Sequence, residues 1–411
     1  MKMRTLAAVL VLNLAAPGQF DHSARAETTI KIGVLNDLSG PYASLSGKGS
    51  VIAAQMAAED FAKEAGAGAP KVEVLSADHQ NKADIGAAIA RSWIDQDGVA
   101  AIVDVPNSAV ALAINQILRE KDRAFLASST ATSDLTGPQC APTTVQWTFD
   151  TWALANGTAR AVVQQGGRKW FFIGSDYALG AALVKDASAV IKASGGTVIG
   201  DVRAPLGTSD MSSYLLQAQS SGADVIGTAN GGDDLINTVK QAAEFGVGRD
   251  GSQHLAGLLV FLTDVKGMGL EKAQGLLLTE AFYWDLNDST RRWSERFAGR
   301  NGGQMPTMNH AGVYSETLAY LRAAQATGGS SGQAIVARMK AAPIDDGLFG
   351  PTTIRADGRA VHAMYLFRVK APSRSHGPYD LYDLVSTIPA EQAFRPMSQG
   401  GCPLVTSKAP N

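Results

Sequence analysis

Three turns in the first part of the chain gather hydrogen-bonding groups where an open α/β sheet places a ligand. Asn36-Asp37-Leu38-Ser39-Gly40-Pro41-Tyr42 follows one β-rich run, Pro106-Asn107-Ser108 a second and Ala127-Ser128-Ser129-Thr130 a third, the last two just before helical patterns. A helix start leaves N–H groups without intrahelical acceptors and carries the positive end of the helix dipole. Two such starts side by side, with the amide of Asn107 and the hydroxyls of Ser108, Ser128, Ser129 and Thr130, suit a small anion such as a carboxylate. Each turn alone reads as ordinary helix capping. It is the coincidence of three on one edge that reads as a site. In the second half the corresponding edges carry Ser175-Asp176-Tyr177, Asn230-Gly231-Gly232-Asp233 and Phe282-Tyr283-Trp284. These are mainly aromatic or amide groups, and an aromatic residue at a sheet edge serves the core as readily as a ligand.

Catalytic patterns fail on context. Gly328-Gly329-Ser330-Ser331-Gly332 matches G-x-S-x-G, but a nucleophile elbow needs a preceding strand and here a helical pattern precedes it. A secreted α/β hydrolase acting through Ser330 is the reading from another class. Gly47-Lys48-Gly49-Ser50 lacks a glycine at the Walker spacing, and Val51 and Ile52 break a dinucleotide fingerprint. His79, His254, His310, His362 and His376 are scattered without metal-ligand spacing, so neither a metal nor a cofactor is expected.

The elements that would position these turns alternate. Strands are expected at 30–35, 72–76, 101–104, 124–126 and 144–147, with helices at 49–64, 82–96 and 109–120 and a short one at 132–135. The alternation restarts with strands at 169–173, 197–203, 224–228, 255–260 and 275–280 and helices at 181–193, 211–219 and 235–245. This is α/β: two lobes, each a mostly parallel sheet flanked by helices. Helices at 290–300, 310–327 and 331–341 follow, the middle one amphipathic through Val313, Thr317, Leu318 and Leu321. They fit best as a return to the first lobe. The chain then crosses between lobes near 148–153, 281–286 and 345–360. The expected domains are 27–148 plus about 285–350 for lobe 1, and 149–284 plus about 351–411 for lobe 2 and the tail.

Composition narrows the partners. The 411 residues carry 36 Lys+Arg against 38 Asp+Glu, a net charge of -2 that offers nothing to nucleic acid. Lys2 and Arg4, an apolar stretch over 6–16 and Ala24-Arg25-Ala26 read as a signal peptide over 1–26, with Glu27 the mature start. Export takes Cys140 and Cys402 to an oxidising compartment, where one disulfide is expected and two separate buried thiols are the alternative.

Ile30-Lys31-Ile32-Gly33-Val34 with Ser39-Gly40-Pro41 and a loop containing Gly47, then Ser128-Ser129-Thr130, Asp176-Tyr177-x-x-Gly180 and Gly350-x-x-x-Ile354-x-x-x-Gly358 stand in an order that carries a resemblance. The chain resembles the extracytoplasmic solute-binding proteins of ABC importers, of the leucine/isoleucine/valine-binding type. The resemblance implies a two-lobed type I periplasmic binding protein fold with three crossovers. It also implies a periplasmic, monomeric, non-enzymatic protein that closes on a small ligand and presents it to a membrane permease. Carried over by position, Asn107, Ser108, Ser128, Ser129 and Thr130 hold a ligand carboxylate, and Tyr177 and Asn230 close on it.

The chain departs from the amino-acid binders in one respect. Their second-lobe acid for the ligand ammonium has no counterpart in Gly257-Leu258-Leu259-Val260-Phe261-Leu262. Burying an ammonium without a partner costs several kcal/mol. An aromatic or other hydrophobic acid, held in a slot of Tyr42, Phe261, Phe282 and Trp284, is therefore the leading expectation. A branched-chain or neutral amino acid, with Asp233 or Asp264 on its ammonium, is the rival. A ligand-sensing subunit of a chemoreceptor shares the fold.

Overall fold

The computed structural model describes residues 29–247, 253–329 and 331–406. The expected signal peptide and Ser330 lie outside the described residues. The first lobe is built on strands β1 (Thr29–Asn36), β2 (Lys71–Asp78), β3 (Ala101–Asp104), β4 (Ala124–Ala127) and β5 (Thr144–Gln146). They pair in parallel in the order β2-β1-β3-β4-β5. β3 and β4 are buried throughout, as parallel strands covered on both faces must be, whereas the edge strand β2 is mostly half-exposed. Helices α1 (Gly47–Ala65), α2 (Ala83–Ser92) and α3 (Ser108–Glu120) supply the crossovers.

The chain leaves this lobe through a helical run made of α4 (Thr151–Leu154), a π-turn at Ala155–Ala159 and α5 (Arg160–Gln164). The second lobe follows, with β6 (Lys169–Ser175), α6 (Ala178–Ala193), β7 (Thr197–Ala204), α7 (Ser212–Ser220), β8 (Val225–Ala229), α8 (Asp233–Glu244) and β9 (His254–Gly257). Its parallel sheet runs β7-β6-β8-β9. After α9 (Leu262–Met268) and α10 (Leu270–Ala273), β10 (Leu277–Glu280) leaves this parallel ladder. It pairs antiparallel with a strand from the end of the chain.

α11 (Asp288–Arg300), α12 (Met308–Thr327) and α13 (Gly332–Lys340) return to the first lobe, α12 lying between α1 and α13. Arg296, Arg300 and Arg322 pair with Asp60, Glu59 and Glu64 of α1. Each pair is half-exposed and weak alone, but three in a row fix the register of the helices. α12 is not the amphipathic helix expected. Every residue from Met308 to Leu321 is buried, because α1, α13 and the chain crossing at Trp147 cover it on several sides. Its Asn309, His310 and Glu316 are therefore interior groups.

The last strands are β11 (Thr353–Ile354), β12 (Ala360–Val361), β13 (Met364–Val369) and β14 (Tyr382–Ile388), with sheet order β10-β13-β14. The region 351–361 lies against the first lobe rather than the second, since Gln146 bridges Arg359 in parallel and donates to the Gly358 carbonyl at 2.9 Å. The buried Arg359 guanidinium donates to the carbonyls of Phe149 at 2.8 Å and Ala360 at 2.9 Å and stacks on Phe394. It thereby knits the first and third crossings. The tail also returns to lobe 1, where Cys402 forms a disulfide with Cys140, their Cα atoms 5.6 Å apart. Arg395 donates to the Ser133 carbonyl beside it.

Candidate functional site

The carboxyl ends of β1, β2, β3 and β4 form one face. Asp37 folds the first turn around itself by accepting the N–H groups of Gly40 at 2.7 Å and Tyr42 at 2.8 Å and the Asn81 amide at 2.7 Å. That turn carries Pro41 and Tyr42 outward. Asn107 caps α3, its Oδ1 accepting from Ala109 and Val110, and its amide donates to Asn81 Oδ1. Ser108 is the first residue of α3, where an N–H has no intrahelical acceptor, and its buried hydroxyl has no partner.

The three hydroxyls after β4 are committed within the protein. Ser128 Oγ donates to the Asn309 carbonyl and meets Thr148 Oγ1. Ser129 Oγ donates to Asp104, and Thr130 Oγ1 donates to the Val105 carbonyl at 2.5 Å. What this edge keeps for an anion is main-chain: among the described residues none accepts from the Thr130 N–H. The close fit of α12 against this loop requires a glycine, since a Cβ on Gly312 would lie 2.2 Å from Ser128 Oγ and 2.0 Å from Thr148 Oγ1.

The second lobe meets this face directly. The phenolic oxygens of Tyr42 and Tyr177 are 2.5 Å apart, and the Asp233 N–H donates to the Pro41 carbonyl at 3.2 Å. Burial holds both phenols protonated, with the neighbouring tyrosine adding to the rise at Tyr42. A cavity of about 380 Å³ opens between the lobes beside this contact, lined by Ser39, Pro41, Asn81, Leu206 and Gly207 among others. A larger hollow of about 750 Å³ lies at the opposite, amino-terminal ends of β9 and β10, far from these turns.

Asn230, at the end of β8, donates to Thr238 Oγ1 at 3.0 Å. Because Thr238 spends its own hydrogen on the Asp234 carbonyl, the Asn230 amide nitrogen must face it, which leaves Asn230 Oδ1 buried without a partner. Asp233 brings only its main chain to the lobe contact, and its carboxylate is exposed. Phe261 is buried edge-on against Phe149 of the first crossing, with ring centroids 5.7 Å apart.

Phe282 and Trp284 do not join the expected aromatic slot. Phe282 packs on Trp293 and Phe349, and the Trp284 indole N–H donates to the Tyr379 carbonyl at 2.8 Å. Both serve the packing of the second crossing.

Three acids that sequence reasoning passed over, or left as an alternative, belong to this region. Asp104 and Glu316 are buried together behind Ser129, the Asp104 N–H donating to Glu316 Oε1 at 3.3 Å. An aspartate ending the otherwise apolar run Ala101–Asp104 was the available signal. Asp264 accepts the Phe261 N–H at 2.9 Å with Oδ2, while its buried Oδ1 has no partner. Burial, with a contribution from the charge of Asp233, pushes Asp264 up to about 7.

A family model described as periplasmic binding protein matches residues 29–376, most of the chain. The chain belongs to the periplasmic binding protein family. A crystal structure of a periplasmic binding protein from Burkholderia mallei is 45% identical, covers 92% of this chain and 99% of its own, and superposes with a TM-score of 0.88. A branched chain amino acid ABC transporter periplasmic ligand-binding protein from Burkholderia xenovorans is 40% identical, with coverage of 91% and 99% and a TM-score of 0.80. The Leu/Ile/Val-binding protein homolog 6 of Brucella melitensis is 27% identical over 281 residues, 68% of this chain and 69% of that one. These relatives put this binding protein among the periplasmic ligand-binding proteins of ABC transporters, with the type I fold. Among the described residues no helix is long and apolar enough to cross a membrane.

Proposed function

We propose that this binding protein, as a monomer, captures a small carboxylate between its lobes and delivers it to a membrane permease, and that the ligand is an aromatic or other hydrophobic acid. The observation that carries the reading is the facing of two unlike surfaces. Lobe 1 has main-chain N–H groups at Ser108 and Thr130, and lobe 2 meets it through Tyr177 on Tyr42 and through Phe261 on Phe149, Phe261 standing in an apolar run, Leu258–Leu262, that holds no acid. Hydrogen bonds to a carboxylate contribute roughly 1.5–3 kcal/mol each. An aromatic ring of roughly 150–250 Å² contributes about 4–6 kcal/mol at about 25 cal/mol per Å². After association and closure costs, that is enough for the approximately −8 kcal/mol of micromolar affinity.

One observation favours a second reading. The bare Oδ1 of Asp264 is an acceptor that an amino-acid ammonium could satisfy, and two of the relatives named above carry branched-chain or Leu/Ile/Val names. Calorimetric titration with benzoate, phenylacetate and leucine tests both. The aromatic-acid reading expects heat from the acids and none from leucine; the rival expects the reverse, with leucine binding abolished in Asp264→Asn. Ser108→Pro, which removes one of the two main-chain N–H groups at a first helical position that tolerates proline, should weaken whichever ligand binds without unfolding the protein. Unchanged affinity would remove the proposed seat.

A further inference from the structure

Behind the proposed anion seat lies the carboxyl pair of Asp104 and Glu316. Asp104 accepts from Ser129 Oγ on Oδ1 and from the Asn36 amide on Oδ2 at 3.2 Å, and its carbonyl accepts the Ser129 N–H at 3.3 Å. Glu316 Oε2 is buried without a partner. Asp104 and Val105 hold φ of 79° and 60°, a strained pair for non-glycine residues, one of them β-branched. Such strain persists only where the surroundings over-determine it. The loops after β3 and β4 are thus riveted together through Asp104 and Ser129, and Ser129 directly precedes Thr130.

An anion received there faces a buried carboxylate of like charge, and two such charges in a buried site are not both retained without cost. The hydrogen bonds supply a resolution. While Asp104 is ionised, the Ser129 hydroxyl hydrogen is committed to Oδ1. When Oδ1 takes a proton from water, Asp104 becomes the donor and Ser129 Oγ the acceptor. The hydroxyl hydrogen of Ser129 is then free to turn to the anion, and only hydrogen bonds are exchanged.

We propose that capture of the ligand carboxylate is coupled to uptake of one proton by Asp104, with Ser129 as the relay; this rests on the carboxylate reading above. Among the groups on this face whose values burial displaces, Asp104 is the one brought between pH 5 and 8. Asp37 is engaged by Gly40, Tyr42 and Asn81, and Lys48 on α1 is exposed. His79 after β2 and His310 on α12 are held down to about 4 by burial and stay neutral. Burial and the neighbouring Asp104 keep Glu316 protonated, and Arg359, lowered to about 10 by burial, stays charged. Burial pushes Asp104 itself up to about 6, against hydrogen bonds, that from Ser129 foremost, that pull it down. Asp234 and Asp264, pushed up by burial to about 6 and about 7, titrate in the same window from the other lobe. The assignment therefore rests on variants and not on the wild-type profile alone.

The test is calorimetric titration with benzoate and with leucine between pH 5.5 and 8, in buffers of differing ionisation enthalpy so that protons taken up are counted. Affinity should rise roughly tenfold as pH falls across that range, the effect of about one pKa unit of coupling. Asp104→Asn should flatten the rise and remove roughly half a proton of uptake near pH 6.5, the most that about one pKa unit of coupling can give. If Asp104→Asn fails to fold, Ser129→Ala, which keeps the carboxyl but removes the hydrogen bond that holds it down, should move the rise to higher pH. Binding with a wild-type pH profile in the variant overturns the coupling alone. No binding of either probe at any pH overturns the carboxylate reading and the coupling with it.

Discussion

The hydroxyls of Tyr42 and Tyr177 meet at 2.5 Å although the two residues belong to different lobes and are 135 positions apart in the chain. Tyr42 is buried and Tyr177 partly so, and a phenol left without the other forfeits a hydrogen bond and leaves a desolvated polar atom, a cost of about 1–3 kcal/mol. That cost falls on the closed arrangement alone. Tyr177→Phe should therefore weaken ligand binding by about tenfold through the closure equilibrium while leaving the melting temperature of the free protein nearly unchanged. Calorimetry with small-angle scattering checks this, and equal affinity and equal compaction on ligand addition would contradict it.

Gly232 is the steric counterpart of that pair. It sits at φ 59°, and a Cβ there would stand 2.2 Å from the Pro41 carbonyl oxygen of the opposite lobe. Gly232→Ala should hold the lobes apart. The expected readout is loss of the scattering change on ligand addition and affinity weakened by at least about tenfold, beyond the roughly 1 kcal/mol that a positive φ costs alanine. Normal closure in the variant would show that the contact yields.

The Cys140–Cys402 disulfide spans 262 residues and pins the tail beside Ser133. Loop-closure entropy of a cross-link this long corresponds to a stabilisation of about 2–5 kcal/mol. Cys402→Ser should lower the unfolding free energy in denaturant by that order and change ligand affinity by less than about threefold, because neither cysteine touches the cleft turns. An unchanged denaturation midpoint would deny the bond its structural role.

Asp264 gives a pH dependence of defined sign. Its folded value of about 7 lies above the ordinary 3.8, so the folded state binds the extra proton, and the contribution to stability is lost as pH rises from about 4 towards 7. Asp264→Asn can still accept the Phe261 N–H and has nothing to titrate. Relative to wild type, the variant should gain on the order of 2 kcal/mol between pH 5 and pH 8 in chemical denaturation. A constant difference across that range would mean that the carboxyl is ionised in the folded protein throughout.

Local patterning determined much on its own. The alternation of short apolar runs with helical stretches is enough for two parallel sheets, because crossovers of that length pack in one hand only. The turns ending at Tyr42, Ser108 and Thr130 were legible because strand ends and helix starts are local features. Tertiary structure decided what those turns do. The hydroxyls of Ser128, Ser129 and Thr130 have the chemistry of ligand contacts, yet Asn309, Asp104 and the Val105 carbonyl claim them. Phe282 and Trp284 likewise go to the packing of the crossing. The meeting of Tyr42 with Tyr177, the burial of Asp104 against Glu316, and the return of 351–361 and the tail to lobe 1 all join residues distant in sequence. A hydrogen bond or a desolvated charge depends on which partner arrives in space, and no spacing along the chain encodes that.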